Sequence, residues 1–295
     1  MHVLLTGGTG FIGSAVLRAL VADGSEVTAL VRSDASAATV AAAGAKPLLT
    51  DITDTEAVRA ALAGVDAAVH TASPGDATSA DVDRAVVSAV TGAFAGTDRP
   101  YLHTGGVWVY GSGAALTEDS PLAPPRLTAW RPAVERSLLD APGLRAGVIA
   151  PAIVYGEGAG IPALLAGSPR TAEGALVAIG PGTQHWTTVH VEDLADLYVA
   201  ALAALRPGDY YIGASGSSPT VNEMLAAVAR GAGLPGTVVA EDVEATQQRL
   251  GELFAEALLL DQQASGAKAR TELSWSPSRP SLLEELESGS YRAQG

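Results

Sequence analysis

The stretch TGGTGFIG, Thr6–Gly13, decides how the rest of the sequence is interpreted. It begins at the last residue of the apolar run HVLLT, His2–Thr6, which has the length of a strand. An amphipathic segment with helical spacing begins within it. Gly7 and Gly10 allow a tight turn that can approach a phosphate closely, and Gly13 allows the helix to pack against the strand. The N-terminus of the helix offers free N–H groups and the positive end of its dipole. The stretch therefore predicts a strand–turn–helix unit that binds the pyrophosphate of a dinucleotide.

Strand and helix signals alternate through the first half of the chain. Helices are predicted over about 35–43 and 131–139, and Asp54 is well placed to cap the helix that begins after it. Such alternation predicts an α/β fold of the Rossmann type, with a doubly wound parallel sheet. The second half is less regular and predicts a smaller C-terminal lobe that binds the substrate. We expect a nucleotide-binding domain over 1–155, to which 185–207 return, and a substrate-binding lobe mainly over 156–295.

Composition narrows the classes of partner. The chain has 295 residues, of which 47% are hydrophobic and 17% charged, which is typical of a folded globular protein. The 18 basic and 32 acidic residues give a net charge of −14, which argues against nucleic acid or an anionic membrane as partner. Cysteine is absent, so disulfides and thiolate chemistry are excluded, and we expect no metal centre. The N-terminus lacks the pattern of a signal peptide, and no apolar run is long enough to span a membrane, so we expect a cytoplasmic protein.

The second predicted strand indicates which dinucleotide binds. The run EVTALVRS ends in Arg32 and Ser33, where an acid would otherwise accept hydrogen bonds from a ribose 2′-hydroxyl. An arginine at this point can pair with a 2′-phosphate, which favours NADP(H) over NAD(H). The alternative is that Arg32 is an ordinary surface arginine.

Several segments together resemble one superfamily. TGGTGFIG resembles the fingerprint of extended and atypical short-chain dehydrogenases/reductases, the NAD(P)-dependent epimerase/dehydratase superfamily. DIT, VHTAS, PAIVYG, TTVHVEDLADLYVAAL and ELSWSP resemble its later signatures, so the resemblance extends over nearly the whole chain. This resemblance identifies the superfamily but gives almost no information about the substrate. Together with the strand-end residues, it implies that the cofactor is bound by Gly7, Thr9, Gly10, Phe11, Ile12, Gly13, Arg32, Ser33, Asp51, Ile52, Thr71, Ala72, Ser73, Thr104, Pro151 and Ile153.

The catalytic residues that the resemblance implies are not at their usual places. The superfamily uses a serine or threonine four residues before the tyrosine of a VYG turn, and here Gly106 stands four residues before Tyr110. Its proton donor is a tyrosine followed four residues later by a lysine, with a glutamate often three residues further on. Alignment on Glu135 puts Thr128 and Pro132 at those two positions. The chain has two lysines, Lys46 and Lys268, and alanine stands four residues before each, so the sequence contains no Tyr-x-x-x-Lys.

Reduction of a carbonyl builds charge on oxygen that must be stabilised and protonated, and the loss of a general acid typically costs about 10²–10⁴ in rate. The proton donor therefore stays unknown, and the candidates for a catalytic hydroxyl are Thr104, Tyr110 and Ser73. The residues expected on the substrate side are Gly105, Gly106, Trp108, Tyr110, Arg131, His185 and Trp186.

Three functions are compatible with these observations. The first is an NADPH-dependent reductase of a ketone on a bulky, aromatic polyketide, protonated by water or by a phenol of the substrate itself. The second is a nucleotide-sugar epimerase or dehydratase, which needs the same missing base. The third is a non-catalytic NADP(H)-binding sensor of the NmrA-like kind, which needs no substrate lobe. The partner is expected to be a small molecule, and the chain a monomer or a homodimer.

Overall fold

The computed structural model describes residues 1–292, and its first half alternates strands with helices. The elements of this half, in chain order, are β1 (His2–Thr6), α1 (Phe11–Ala22), β2 (Glu26–Val31), α2 (Asp34–Ala42), β3 (Lys46–Leu49), α3 (Thr55–Ala63), β4 (Ala67–His70), α4 (Ser79–Phe94), β5 (Pro100–Thr104), β6 (Gly113–Leu116), α5 (Arg131–Leu139) and β7 (Arg145–Pro151).

The second half contains shorter strands and more helices. Its elements are β8 (Ile153–Gly156), β9 (Ala159–Gly160), α6 (Ala163–Ala166), β10 (Leu176–Val177), β11 (Thr188–His190), α7 (Val191–Ala204), β12 (Asp209–Gly213), α8 (Val221–Gly231), β13 (Val238–Val239), α9 (Val243–Leu250), α10 (Glu252–Leu258), β14 (Gln262–Ala264), α11 (Ala267–Leu273) and α12 (Leu282–Ser288). Within the described residues, no helix is both long and apolar enough to cross a membrane.

Seven parallel strands form the main sheet, in the order β12-β7-β5-β4-β1-β2-β3. The chain moves outward from β1 in one direction through β2 and β3, and in the other through β4, β5 and β7. Adjacent β1 and β4 therefore form the topological switch point, at whose C-terminal edge ligands bind in open sheets of this kind. This architecture confirms the predicted doubly wound α/β fold.

Each face of the sheet is covered by helices. One apolar core joins the sheet to α1, α2 and α7, and the other joins it to α3, α4 and α5. The strands of the centre have buried side chains on both faces, as the nearly continuous apolar runs of β1 and β2 require. The glycine loop after β1 is thereby held between two packed layers.

A third apolar core defines the smaller lobe. It contains buried side chains from β8, α6, α8, α10 and α12, beside the three-stranded sheet β11-β8-β9. The part of the second half that returns to the main sheet is longer than the predicted 185–207, because β12 pairs with β7 over the whole of Asp209–Gly213. Trp275, near the C-terminus, also packs in the core of the main sheet.

Single residues determine where two of the helices begin or end. The carboxylate of Asp54 accepts a hydrogen bond from the N–H of Ala57 at 3.0 Å and caps α3, as predicted. Further along the chain, Gly251 separates α9 from α10. Gly251 has φ +84°, a left-handed conformation that glycine adopts without a steric cost.

Candidate functional site

The glycine loop between β1 and α1 is shaped by close backbone contacts. Gly7 has φ +78°, and a Cβ on it would lie 2.6 Å from the backbone nitrogen of Ala72. A Cβ on Gly13 would collide with the carbonyl oxygen of Gly7, so this glycine is required by the packing of α1 on β1. A Cβ on Gly10 would meet only that same oxygen, at 3.2 Å, and would otherwise face open space. Gly7 and Gly13 are therefore needed for the fold, whereas Gly10 leaves room for a ligand.

This loop fits the pyrophosphate of a dinucleotide. Gly10 is the N-cap of the 12-residue helix α1, and it has no side chain to satisfy the N–H groups of the first turn. No acidic residue occupies that turn, so nothing there repels an anion. Thr9 is exposed at the rim of the loop, and the partly buried Phe11 and Ile12 pack against the core of the main sheet.

The residues expected at the adenosine end lie at the ends of β2 and β3. Arg32 and Ser33 are exposed directly after β2, and the Ser33 hydroxyl accepts the N–H of Ser36 at 3.2 Å to cap α2. Asp51 follows β3, and its carboxylate accepts hydrogen bonds from Thr53, which lower the pKa of Asp51. Arg32 therefore presents an exposed guanidinium at the end of β2, and Asp34 in the first turn of α2 is the neighbouring acid.

Other predicted cofactor residues follow β4 and β7. The Thr71 hydroxyl donates to the Thr6 carbonyl at 2.7 Å and ties the loop after β4 to the end of β1. Partly buried Ala72 and exposed Ser73 continue this loop beside the glycines. Pro151 and Ile153 are buried where the chain passes from β7 into β8. All of them lie at the C-terminal edge of the main sheet.

Thr104, the last residue of β5, is engaged within the protein. Its hydroxyl donates to the carbonyl of His70 at 2.6 Å, which uses its single proton. The hydroxyl of Tyr198 on α7, 2.5 Å away, therefore donates to the Thr104 oxygen. Both hydroxyls are thus occupied by internal partners, so the position of Thr104 is that of a brace between β4, β5 and α7.

The hydroxyls around the altered catalytic segment are buried. Tyr110 is 3% exposed, and burial raises the pKa of its phenol. Thr128 lies in a single 3-10 turn before α5, is 8% exposed, and its hydroxyl has no hydrogen-bond partner among the described residues. Pro132 is in the first turn of α5, where a missing backbone N–H costs nothing. Thr128, aligned with the usual tyrosine, therefore lies in the protein interior, and Pro132, aligned with the usual lysine, lies at the start of a helix.

The adjacent glycines Gly105 and Gly106 have different surroundings. A Cβ on Gly106 would meet no atom within 4 Å, so this position faces open space. A Cβ on Gly105 would lie 2.5 Å from Oε1 of Glu135 and 3.0 Å from Cγ1 of Val148. The absent side chain of Gly106 leaves room at the edge of the sheet, whereas that of Gly105 makes room for Glu135.

Glu135 is a buried acid in α5 that the sequence analysis used only for alignment. It is 4% exposed; one carboxylate oxygen accepts from the hydroxyl of Tyr210 at 3.1 Å, and the other has no partner among the described residues. Burial, offset only in part by Arg131 and by Tyr210, raises the pKa of Glu135.

Arg131 begins α5 beside the end of β5. Its Nη1 donates to the carbonyl of Thr104 at 3.0 Å, and its guanidinium carbon lies 4.8 Å from the centre of the Trp130 ring. The guanidinium is partly exposed and, among the described residues, does not form an ion pair with Glu135, one turn further along the helix. It is a fixed positive charge at the C-terminal edge of the sheet.

The remaining predicted substrate residues lie in the second lobe or against it. Trp108 is partly buried with its ring centre 6.3 Å from that of Phe254 in α10. His185 is partly exposed and is held by Asp261, 2.8 Å from its Nδ1. Trp186 is 1% exposed and donates its indole N–H to the carbonyl of Leu258, so the structure places its ring in the core of the lobe.

A buried polar cluster of His70, Asp83 and His103 was missed. Both histidines place Nε2 near the Asp83 carboxylate, at 3.1 and 3.3 Å, while their Nδ1 atoms pair with the hydroxyls of Thr6 and Tyr101. Burial disfavours the charged form of Asp83, but the hydrogen bonds from the histidines outweigh it and lower the pKa of Asp83. Burial lowers the pKa of His103 from 6.5 to about 4. The cluster joins β1, β4, β5 and α4 beneath the switch point. The cluster could have been recognised in the sequence from Asp83, an acid that stands among the apolar residues Val82, Val86, Val87 and Val90 of a helix.

Comparison with known proteins agrees with this geometry. Residues 3–213 match the family described as the NAD dependent epimerase/dehydratase family. The chain belongs to this family. Members share the nucleotide-binding sheet, so a glycine loop at the switch point is the expected place of their NAD(P).

The chain is also similar to curated proteins, one over its whole length and one over half of it. An uncharacterized protein of Schizosaccharomyces pombe is 29% identical over 299 residues, 99% of this chain and 100% of that one. The 4-hydroxy-2-methyl-3-oxo-4-farnesyl-3,4-dihydroquinoline-1-oxide ketoreductase of Stigmatella aurantiaca is 34% identical over 170 residues, 53% of this chain and 51% of its own.

Solved structures of the family share the fold. UDP-glucose 4-epimerase of Thermus thermophilus, in complex with NAD, has a TM-score of 0.77 at 23% identity over 100% of both chains. A human epimerase family protein, with NADPH, has a TM-score of 0.77 at 23% identity over 98% of this chain and 99% of that chain. These likenesses establish the Rossmann-like architecture, and structural neighbours of this fold bind NAD or NADPH.

Proposed function

We propose that this protein is an NADPH-dependent reductase of a ketone on a bulky, aromatic polyketide. The observation that carries the proposal is the engagement of the hydroxyls at the catalytic edge of the sheet. Thr104 is bonded to His70 and Tyr198, and Tyr110 and Thr128 are buried. These positions offer no accessible base.

A reductase tolerates this arrangement better than an epimerase or a dehydratase does. Those reactions begin with removal of a proton from the substrate, which requires a base near the reacting carbon. Reduction instead ends with addition of a proton to an alkoxide, which is basic enough to take it from water or from a neighbouring phenol. A bound NADPH supplies the hydride for this reaction. The similarity to a ketoreductase over half of the chain supports the same direction.

NADPH is proposed as the reductant because of the end of β2. Arg32 and Ser33 are exposed there, and the N-terminus of α2 begins at the next residue. A 2′-phosphate at this strand end would receive the charged guanidinium of Arg32.

The proposal of an aromatic polyketide rests on the open position at Gly106 and on the missing acid. A ketone with a phenol beside it carries its own proton donor, already hydrogen-bonded to the carbonyl, and needs only to be held in place. In lacking the tyrosine and lysine, the chain resembles the angucyclinone 7-ketoreductase of simocyclinone biosynthesis, an atypical reductase of the superfamily.

The test is single-turnover oxidation of NADPH by the purified protein. Aromatic polyketide ketones with a neighbouring phenol are compared with their methyl ethers and with nucleotide sugars. We expect oxidation with the free phenols; reduction of the ethers at an undiminished rate would assign the proton to water. Binding of NADPH without oxidation by any ketone, or conversion of a nucleotide sugar, would contradict the proposal. Gly10→Val, which places a side chain in the phosphate loop, serves as the control without bound cofactor.

A further inference from the structure

Arg131 has the properties of a preorganised anion site. One of its N–H groups donates to the Thr104 carbonyl at 3.0 Å, and the guanidinium lies against Trp130, so the group is held in place from two sides. A guanidinium has five N–H donors. Among residues 1–292, Arg131 makes no other hydrogen bond and no ion pair, so its remaining donors are available to a ligand.

This charge lies at the C-terminal edge of the main sheet, where a ligand is expected. The carbonyl that Arg131 contacts belongs to the last residue of β5, one strand away from the switch point between β4 and β1. The chain continues from there to Gly106, where a side chain would meet no atom within 4 Å. Arg131 is therefore a cation beside the open space at the edge where ligands of such sheets bind.

We propose that Arg131 stabilises the alkoxide formed when the ketone is reduced, in place of the phenol that other members of the superfamily use. This inference rests on the proposed function. In the step, the ketone carbon gains a hydride, NADPH is converted to NADP⁺, and the π electron pair of the carbonyl moves to its oxygen. The resulting alkoxide is held by the Arg131 N–H groups until it takes a proton from water or from the neighbouring phenol.

An arginine can stabilise an alkoxide but does not act as a general acid or a general base. Its guanidinium stays protonated, so it stabilises negative charge without delivering a proton. The donor is fixed before the reaction, so little reorganisation is needed when charge develops on oxygen. Removal of one such donor from an oxyanion site typically lowers turnover by about 10²–10³.

The inference is distinct from a structural role as counter-charge to Glu135. Arg131 and Glu135 are one helical turn apart, but within the described part of the chain they form no ion pair within 4 Å, and Glu135 bonds Tyr210 instead. A counter-charge would affect stability and leave the binding of anions unchanged. An anion site would lose affinity for anions when Arg131 is replaced, in addition to any change in stability that follows from its effect on the pKa of Glu135.

The experiment compares Arg131→Met, Arg131→Lys and the control Arg136→Met, an exposed arginine of the same helix. We expect Arg131→Met to lower kcat by about 100-fold or more, with the ketone KM and the NADPH Kd changed by less than about 3-fold. Added guanidinium ion should restore part of kcat in this variant, and Arg136→Met should behave as wild type. Arg131→Lys keeps the charge and should fall between the two.

A readout without turnover separates this inference from the proposed function. Benzoate, a small aromatic anion, should bind the wild-type protein with NADP⁺ in competition with the ketone, and Arg131→Met should weaken its Kd by at least about 10-fold. Unchanged kcat or unchanged benzoate affinity in Arg131→Met would overturn the role of Arg131. If the wild-type protein reduces no ketone, the proposed function fails together with the alkoxide role, and this result is visible before any variant is made.

Discussion

A methyl group added at Gly105 should destabilise the fold, whereas the same group at Gly106 should not. The new Cβ of Gly105→Ala would lie 2.5 Å from Oε1 of Glu135, about 1 Å closer than an ordinary contact. Glu135 is anchored by Tyr210, so its carboxylate must leave that hydrogen bond or α5 must shift. Overpacking typically costs about 1–3 kcal/mol and a lost hydrogen bond to a charged group about 1.5–3 kcal/mol.

We therefore expect Gly105→Ala to lower the free energy of unfolding by about 2–4 kcal/mol, from these two effects with partial relaxation. Gly106→Ala should change it by less than about 0.5 kcal/mol, the usual range for a surface substitution. Its φ of 177° is extended backbone that alanine adopts freely. The measurement is urea denaturation followed by circular dichroism, with equal slopes required for both variants.

A double-mutant cycle with Glu135→Ala identifies the contact that is responsible. Once the carboxylate is gone, the closest remaining neighbour of the new Cβ is Cγ1 of Val148 at 3.0 Å, and Gly105→Ala should cost less than about 1 kcal/mol. Equal destabilisation by the two glycine substitutions, or strictly additive effects of Gly105→Ala and Glu135→Ala, would refute the reasoning.

Four further outcomes are expected. Gly10→Val should reduce NADPH affinity sharply with little change in Tm, because its Cβ meets only one oxygen at 3.2 Å; unchanged affinity would place the phosphates elsewhere. Arg32→Asp should raise the KM for NADPH far more than that for NADH, and equal effects would remove the 2′-phosphate assignment. Between pH 6.5 and 4, His103 takes up a proton in the unfolded chain but stays neutral in the folded one, so the free energy of unfolding should fall as the pH drops through this range. A free energy of unfolding that does not change with pH in wild type, or the same pH dependence in His103→Gln, would contradict this. Each of the variants that removes one candidate hydroxyl should lower turnover by about 10-fold or less; these are Thr104→Ala, Tyr110→Phe and Ser73→Ala. A loss above about 10³ in one of them would identify a protein acid.

The features that could be predicted from the sequence have local signals. The glycine loop was predictable because its turn requires glycine at positions 7 and 13, and this requirement is visible in a few consecutive residues. The cap at Asp54 and the start of α5 at Arg131 depend on residues within one helical turn. The order of helices and strands then specifies a parallel sheet, since each helix must cross from one strand to the next.

The contents of the site depend on contacts between distant residues and were less accessible. Nothing near Gly105 in the sequence indicates that Glu135, thirty residues later, fills the space beside it. Trp186 lies next to the partly exposed His185 in sequence, yet its ring belongs to the core of the lobe, because α10 supplies the acceptor for its indole N–H. The sequence made Thr104 a candidate for a catalytic hydroxyl, and only the three-dimensional structure reveals that α7 brings Tyr198 against it.

The late position of β12 affects how the chain can fold during its synthesis. The first six strands of the main sheet are complete at Pro151, but the outer edge of β7 finds its partner only when Asp209–Gly213 have been made. Until then the emerging protein carries an unpaired apolar edge, which is the kind of surface that joins with another chain. A nascent chain that ends between Pro151 and Asp209 would therefore expose this edge, even though its nucleotide-binding loop is already made.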